Sequence, residues 1–283
     1  MTHRLHREEP DRRDAAGLSR VESDAVSLAS VGTRPSPTFS VVIPVFNEAR
    51  NIGSLLAEID TALARAAPYE VIVVDDASTD GTLESVRALQ PAWEGRLRLL
   101  RHRRNLGQSS GLRTGVLAAR APWIVTLDGD GQNDPVDIPR LLDVTYAPNG
   151  DVRLVCGHRI RRNDPFSKRI ASRVANGFRS LVLRDATPDS GCGLKVFPRQ
   201  VFLALPFFDH VHRFLPALMQ QEGRGVVSVE VRHRPRAHGR SNYGVCDRLW
   251  SGIIDTLGVL WLRRRARETK YDEIGGLERD RHR

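Results

Sequence analysis

The stretch Trp123-Ile-Val-Thr-Leu-Asp-Gly-Asp-Gly-Gln132 decides how the rest of the chain is read. Its first half is a short, apolar, β-branched run, the pattern of a strand buried on both faces. Its second half is a loop in which aspartates alternate with glycines. Upstream, the same strand pattern recurs in Phe39-Ser-Val-Val-Ile-Pro-Val45, in Val71-Ile-Val-Val74 and at Leu97–Leu100. Between these runs the apolar residues take helical spacing. Ile52, Leu55, Leu56, Ile59 and Leu63 mark a helix with Asn51 as its cap, and further helices are expected over 78–90 and 109–119. Strands alternating with helices, each strand apolar throughout, predict an α/β fold: a mostly parallel sheet with helices on both faces, in a single domain. Beyond residue 150 the alternation becomes irregular. Strands are expected there at 152–156 and 226–232, and helices near 166–183, 199–205 and 213–222.

Length and composition set the outer limits. At 283 residues the chain holds one large domain or two small ones. Its longest uncharged stretch, Pro35 to Asn47, has 13 residues, short of the about 20 that a membrane-spanning helix needs. No apolar segment follows Met1 in the manner of a secretory signal. Cys156, Cys192 and Cys246 fit neither a disulfide framework nor a zinc spacing, so a reducing cytoplasm is the expected compartment. A net charge of +9 invites a nucleic-acid reading. The distribution of that charge argues otherwise. Residues 1–37 balance six arginines against six acids, whereas 153–179 hold eight basic residues and one acidic, and 224–240 hold five arginines beside Glu230. Two focused patches suit an anionic small molecule or a lipid headgroup as well as they suit DNA. A nucleic-acid partner would also leave Asp128-Gly-Asp130 without a purpose, and none is expected.

The chemistry gathers at the strand ends. In open α/β sheets, ligands bind outside the carboxyl ends of the strands. Here those ends carry Pro44-Val-Phe-Asn-Glu48, Asp75-Asp76 and Asp128-Gly-Asp-Gly-Gln132. Carboxylates so placed repel one another unless a cation sits among them. Asp75, and Asp80 before Gly81, serve equally well as turn and helix caps. Asp128 and Asp130 are harder to explain that way, because the glycines between and after them let backbone approach a ligand. Asp128, Asp130 and Gln132 form a hard-oxygen set for Mg2+ or Mn2+, which would leave coordination positions for substrate phosphates. An EF-hand is excluded by Asn133 and Pro139 at the positions of its glycine and glutamate. A phosphatase using Asp128 as nucleophile would account for neither Glu48 nor Asp76.

Four segments occur in order: Val41-Val-Ile-Pro-Val-Phe-Asn-Glu48, Val73-Val-Asp-Asp-Ala-Ser-Thr-Asp-Gly-Thr82, Asn105-Leu-Gly-Gln-Ser-Ser-Gly-Leu112 and Leu127-Asp-Gly-Asp-Gly-Gln-Asn-Asp-Pro135. Together they resemble the family 2 glycosyltransferases, which implies the Rossmann-like GT-A fold over residues 39–262. Within that family the chain is similar to dolichol-phosphate mannosyltransferase and the bacterial polyprenyl-phosphate glycosyltransferases. The resemblance implies that Pro44, Phe46, Glu48, Val74 and Asp76 hold the base and ribose of a nucleotide sugar. Phe46 stands where a tyrosine is frequent. Asp128, Gly129, Asp130 and Gln132 are implied at the metal and diphosphate, with Arg159 and Arg236 at the phosphates and Arg173 at the acceptor phosphate. Asp128, Asp130, Arg159 and Arg173 are thus the implied catalytic residues. Ser241 is implied at the donor; the residue after it is Asn242 where relatives often have lysine, and Arg240 is the candidate replacement. Asp189, in Asp189-Ser-Gly-Cys-Gly-Leu-Lys195, would orient the acceptor, orient an arginine, or merely close a turn. Cys192 and the histidines His210, His212, His233 and His238 read as structural.

The reaction so implied is metal-dependent and inverting. It moves a sugar from a nucleoside diphosphate to a polyprenyl phosphate, or alternatively to a saccharide or lipid-core hydroxyl. A hydroxyl acceptor needs a general base. A phosphate monoester, with a second pKa near about 6, does not. A catalytically dead sugar-nucleotide sensor would keep the same donor residues. Trp250, Ile253, Ile254, Leu257 and Trp261 share one helical face, and Arg263-Arg-Arg-Ala-Arg267 follows. This pattern suits either a helix lying on an anionic membrane or one packed on the core. The organisation expected is an extension without periodicity at 1–37, the transferase domain at 38–245, the amphipathic helix at 246–267 and a charged tail at 268–283. The protein would sit peripherally at the inner face of the cell membrane. Because related enzymes carry C-terminal transmembrane helices, a separate membrane protein is an implied partner.

Overall fold

A computed structural model describes residues 35–146, 152–160, 177, 179–185, 187–221, 225–236 and 245–265. Seven strands form one sheet: β1 (Phe39–Val45), β2 (Tyr69–Asp75), β3 (Leu97–Arg101), β4 (Trp123–Thr126), β5 (Val152–Arg159), β6 (Lys195–Pro198) and β7 (Gly225–Val231). Their order is β3-β2-β1-β4-β6-β5-β7. The β1–β2, β2–β3 and β1–β4 pairs are parallel, as predicted from their largely apolar runs. Chain order reverses at β1, which lies between β2 and β4. That makes the β1/β4 edge the switch point where a crevice opens.

Alternate residues of the strands enter two apolar layers. Val41, Ile43, Val71 and Val73 pack with Ile52, Leu55, Leu56 and Ile59 of α1 (Ile52–Ala62), Val86 of α2 (Thr82–Leu89), and Ile138, Leu141 and Leu142 of α4 (Ile138–Tyr146). On the opposite face Val42, Ile72 and Val74 meet Leu112 and Val116 of α3 (Gln108–Ala118), Phe202 of α5 (Arg199–Ala204) and Phe214, Leu215 and Leu218 of α6 (Val211–Gln221). The last helix, α7 (Val245–Arg265), adds Val259 to this second layer. The predicted sheet with helices on both faces is therefore observed, in one body from Ser36 onward.

Several elements depart from the sequence reading. Strand β6 was not anticipated. Its four residues run from a buried lysine to a proline, too few for alternation to register, and it runs antiparallel to β4 and β5. Helix α4 was likewise unforeseen. Helix α2 begins at Thr82, not Ser78, because Ser78–Gly81 is drawn into the site loops. Asn51 stands at the N-cap of α1 but makes no side-chain cap bond; its amide donates to Glu48 Oε2 at 2.6 Å. Of the helix expected at 166–183, the part at 179–183 is seen, and 166–176 lie outside the described residues. The 1–34 stretch and 266–283 also lie outside them.

Helix α3 can approach β1 closely because its facing positions are glycines. A Cβ on Gly115 would come within 2.3 Å of Val42 Cγ1 and 3.3 Å of Val74 Cγ2, both in the second layer. Overpacking of this kind costs about 1–3 kcal/mol. Gly115→Ala should lose that much unfolding free energy in urea denaturation, and Val42→Ala in the same chain should restore part of it. An unchanged midpoint for the single variant would contradict the close packing of α3 on β1.

Candidate active site at the carboxyl edge of the sheet

The site begins with two turns stitched together by their own polar groups. Asn47 and Ala77 both adopt positive φ, 58° and 63°. Asn47 N donates to Ser78 Oγ at 2.9 Å, Glu48 N to Thr82 Oγ1 at 2.9 Å, and Ala49 N to Asp80 Oδ2 at 3.1 Å. In return Asn47 Oδ1 accepts from Thr79 N at 2.9 Å. Asp75 Oδ1 accepts from Ser78 N at 3.1 Å, and Asp80 Oδ1 from Thr82 N at 3.1 Å. Asp75 and Asp80 are thus turn-holding carboxylates. For Asp80, burial pushes the pKa up but the Thr82 and Ala49 hydrogen bonds outweigh it and leave the group below its ordinary value.

Asp76, implied at the nucleotide, is engaged by the loop that follows β3. It is buried; its Oδ1 accepts from Leu106 N at 2.9 Å and its Oδ2 from Gly107 N at 2.8 Å. His102 Nδ1 lies 2.7 Å from Oδ1, and its other ring nitrogen is 2.9 Å from Thr114 Oγ1. Both oxygens of Asp76 therefore pin the loop that leads into α3. Val74, also implied at the nucleotide, is fully buried in the α3 layer. Pro44 and Phe46 remain half-buried at the edge. Glu48 faces it too, its pKa raised by burial against the opposing pull of Asn51 and Arg236.

Asp128 and Asp130 follow β4. Asp128 Oδ1 accepts from Gln108 Nε2 at 2.7 Å. Gly193 lies against the Asp128 carboxylate so tightly that a Cβ there would stand 2.3 Å from its carbon. Thr126 Oγ1 donates to Gly193 O at 2.6 Å, which fixes the approach. Asp130 Oδ1 caps Gln132 N at 3.0 Å, and Oδ2 accepts from Arg236 Nη2 at 2.8 Å. The same Arg236 nitrogen is 3.8 Å from Glu48 Oε1. Burial, then the charge of Asp130, push Asp128 up to about 6, although Lys195, Arg159 and Gln108 pull the other way. Two carboxylates on one edge repel each other unless further positive charge joins them.

Two further segments close on this pair. Arg159, at the end of β5, donates through Nε to Asp189 Oδ2 at 2.6 Å and through Nη2 to Asp189 Oδ1 at 2.9 Å. Burial alone would lower the pKa of Arg159; the Asp189 bonds and charge more than reverse this and keep it charged. Of the three roles open to Asp189, holding an arginine is the one observed. Buried Lys195 donates to Cys192 O within the same turn. After β7, Arg234 N donates to Gln132 O at 3.0 Å and Gln132 Nε2 reaches Arg234 O at 3.5 Å, so the Gln132 amide nitrogen joins the clamp and not the carboxylate pair. Arg234 itself is tied to Glu58 at 2.6 Å.

The structure thus brings Glu48, Asp128, Gly129, Asp130, Arg159 and Arg236 to one edge. Arg173, Arg240, Ser241 and Asn242 lie outside the described residues. Sequence reasoning assigned no role to Gln108, Gly193, Thr126 or His102. Gln108 and Gly193 sit inside motifs whose other members drew attention, whereas His102 carried no spacing signal. The histidines His210 and His212 are structural as expected, bonded to Asp255 and Ser109 at 2.8 Å each. Cys156 and Cys192 are free and buried. Among the described residues no three His, Cys, Asp or Glu side chains gather as a metal cluster. Two carboxylates nevertheless suit Mg2+ or Mn2+, which takes its remaining ligands from phosphate and water.

Residues 40–205 match the model of the family described as Glycosyl transferase family 2. The dodecaprenyl-phosphate galacturonate synthase of Rhizobium johnstonii is 34% identical over 233 residues, covering 80% of this chain and 67% of that protein. An undecaprenyl-phosphate 4-deoxy-4-formamido-L-arabinose transferase of Aeromonas hydrophila is 33% identical over 207 residues, covering 73% and 63%. The chain therefore spans about two thirds of the length of these relatives. Two solved structures share the fold. Mannosyl-3-phosphoglycerate synthase of Rubrobacter xylanophilus has a TM-score of 0.62 at 19% identity, over 84% of this chain and 78% of that one. Glucosyl-3-phosphoglycerate synthase of Mycobacterium tuberculosis has a TM-score of 0.60 at 20% identity, over 80% of each chain.

The Arg159–Asp189 pair is 17% and 1% exposed, and removal of one partner from such a pair costs about 3–5 kcal/mol. Asp189→Ala should lower unfolding free energy by about 3 kcal/mol in urea titration. A loss below about 1 kcal/mol, the scale of exposed pairs, would mean that Arg159 is held by something other than Asp189.

Proposed function

The chain belongs to glycosyl transferase family 2, and on that premise we propose that it transfers a sugar from a nucleoside diphosphate to a polyprenyl phosphate, inverting the anomeric carbon. The observation that carries the proposal is the Asp128–Asp130 pair, counter-charged by Arg236 at 2.8 Å on an edge that also presents Arg159. The relatives named for dodecaprenyl- and undecaprenyl-phosphate support a lipid phosphate as acceptor.

Asp128 and Asp130 would hold Mg2+ or Mn2+. When bound, the ion supplies positive charge that offsets charge growing on the leaving diphosphate. The chain's own residues supply the rest. Arg236, which binds Asp130 through one nitrogen, offers the planar fork that suits phosphate oxygens. Its shift from carboxylate to diphosphate would leave Asp130 to the cation. Arg159, locked in one orientation by Asp189, presents a fixed charge and carries no reorganisation cost at the moment of reaction. Phe46 and Glu48 border the nucleotide side, and Arg173 is assigned to the acceptor phosphate. The new bond forms between an acceptor phosphate oxygen and the anomeric carbon. The bond from that carbon to the donor β-phosphate oxygen breaks, and its electron pair leaves with the diphosphate. The acceptor arrives already ionised, so the proposal assigns no residue as general base.

A lipid acceptor places the enzyme at a membrane surface. No helix among the described residues is long and apolar enough to cross a membrane. Peripheral attachment at the inner face of the cell membrane, through the 246–267 segment, is the corresponding proposal. A separate membrane protein belongs to it as a partner; full activity of purified protein on lipid alone would remove that partner.

The test is transfer of label from a panel of UDP- and GDP-sugars into polyprenyl phosphate with Mg2+ or Mn2+. One donor should label the lipid, and Asp130→Asn should abolish labelling by at least about 100-fold, the scale of losing one preorganised charge contact. Nucleotide binding without lipid labelling from any donor would overturn the acceptor assignment and direct the search to hydroxyls.

A further inference from the structure

Helix α7 turns Thr256 and Val259 inward, where both are buried. Its other face presents Ile254, Leu257 and Trp261 to solvent at 55%, 52% and 60% exposure. Spacings of three and four place these on one stripe, and Arg264, three residues past Trp261, continues it. The 179–183 helical stretch lies against the end of α7 and exposes Leu181 at 80%. Between the two is a cavity of about 360 Å³ lined by Val182, Leu183, Arg184, Leu260, Arg263 and Arg264. Arg263 Nη1 donates to Leu183 O and joins the walls.

Among the described residues the lining is half guanidinium and half aliphatic, with no acidic side chain in it. Of the described carboxylates nearby, Asp255 pairs with His210 at 2.8 Å and Asp185 with Arg179 at 3.0 Å. None of the lining residues belongs to the carboxylate edge. We infer that this cavity seats the phosphate headgroup of an anionic membrane phospholipid, while Ile254, Leu257 and Trp261 enter the interface beside it. A free phosphate would leave the aliphatic half of the lining and the apolar stripe unused. A phospholipid engages both, because its charged group and its hydrocarbon meet at the depth where an interfacial helix lies. The inference rests on the lipid-acceptor reading only in requiring the enzyme to work at a membrane. It assigns the seat to bulk lipid, separate from the acceptor. The seat lies on the segment that runs on to Asp189, so lipid engagement and the Arg159 clamp share one stretch of chain.

Vesicle flotation tests the assignment, with pure phosphatidylcholine compared against vesicles carrying about 30 mol% phosphatidylglycerol. The native protein should prefer the anionic vesicles. Each arginine at an anionic surface contributes about fivefold in partition, so Arg184→Gln/Arg264→Gln should weaken binding about 25-fold. Arg65→Gln/Arg87→Gln removes the same charge from exposed positions at the end of α1 and on α2, and should change binding less than about threefold. Equal losses from both pairs, or no preference for anionic vesicles, would overturn the seat. Displacement by millimolar inorganic phosphate at constant ionic strength would overturn it in favour of a free-anion site. Transfer to detergent-dispersed polyprenyl phosphate should be unchanged in Arg184→Gln/Arg264→Gln; loss there would make these residues part of the acceptor site. If the native protein transfers nothing while vesicle binding behaves as stated, the functional proposal fails and the seat stands. Thermal melting of each variant, with Arg184→Lys/Arg264→Lys retaining vesicle binding, separates lost charge from lost fold.

Discussion

Mutual repulsion of carboxylates at one sheet edge is the constraint around which this molecule is arranged. Two strand ends deliver Glu48, Asp128 and Asp130 to the same crevice, and a third carries Asp75, Asp76 and Asp80 beside them. The second group is held locally: backbone amides, Thr82 and His102 take up its oxygens except Asp75 Oδ2, which pairs only with Arg101 Nε at 3.4 Å. The first group shares Arg236 as its counter-charge, 2.8 Å from Asp130 and 3.8 Å from Glu48. Burial, and then the neighbouring Asp130, push the Asp128 carboxyl up to about 6. A cation and a diphosphate with its own arginine contacts would relieve their repulsion together.

The irregular second half of the chain serves this edge. The antiparallel β6 returns the chain beside β4, so that Gly193 lies under the Asp128 carboxylate and the turn before it carries Asp189 to Arg159. The segment after β7 crosses the Asp-Gly-Asp loop, with Arg234 bonded to Gln132 and Glu58 and Arg236 to Asp130. Each contact joins residues far apart in sequence. The edge therefore has its geometry only when the whole sheet is assembled. Glycine at 193 is required by close approach, since any side chain would displace the carboxylate.

The parallel half of the fold was legible because strands buried on both faces are written as plain apolar runs, and Val41–Val45 and Val71–Val74 are of that kind. The acidic strand ends were legible for the same reason: they interrupt those runs. Strand β6 was hidden by its length and by Lys195, whose burial depends on tertiary partners that local patterning does not register. Asp76 shows what local patterning leaves open. A carboxylate at a strand end looks the same in sequence whether it meets a ribose or the amides of Leu106 and Gly107, and only the path of the 102–107 loop decides. The apolar stripe on α7 was equally ambiguous between core and interface. Its exposure at Ile254, Leu257 and Trp261 follows from Thr256 and Val259 taking the inward face.

The most direct measurement is a crystal structure with a nucleoside diphosphate and Mn2+ bound. The account predicts the ion between Asp128 and Asp130, with the Arg236 guanidinium moved from its 2.8 Å contact with Asp130 onto a phosphate oxygen. A diphosphate bound elsewhere, with the Arg236–Asp130 contact intact and no ion at Asp128, would contradict it.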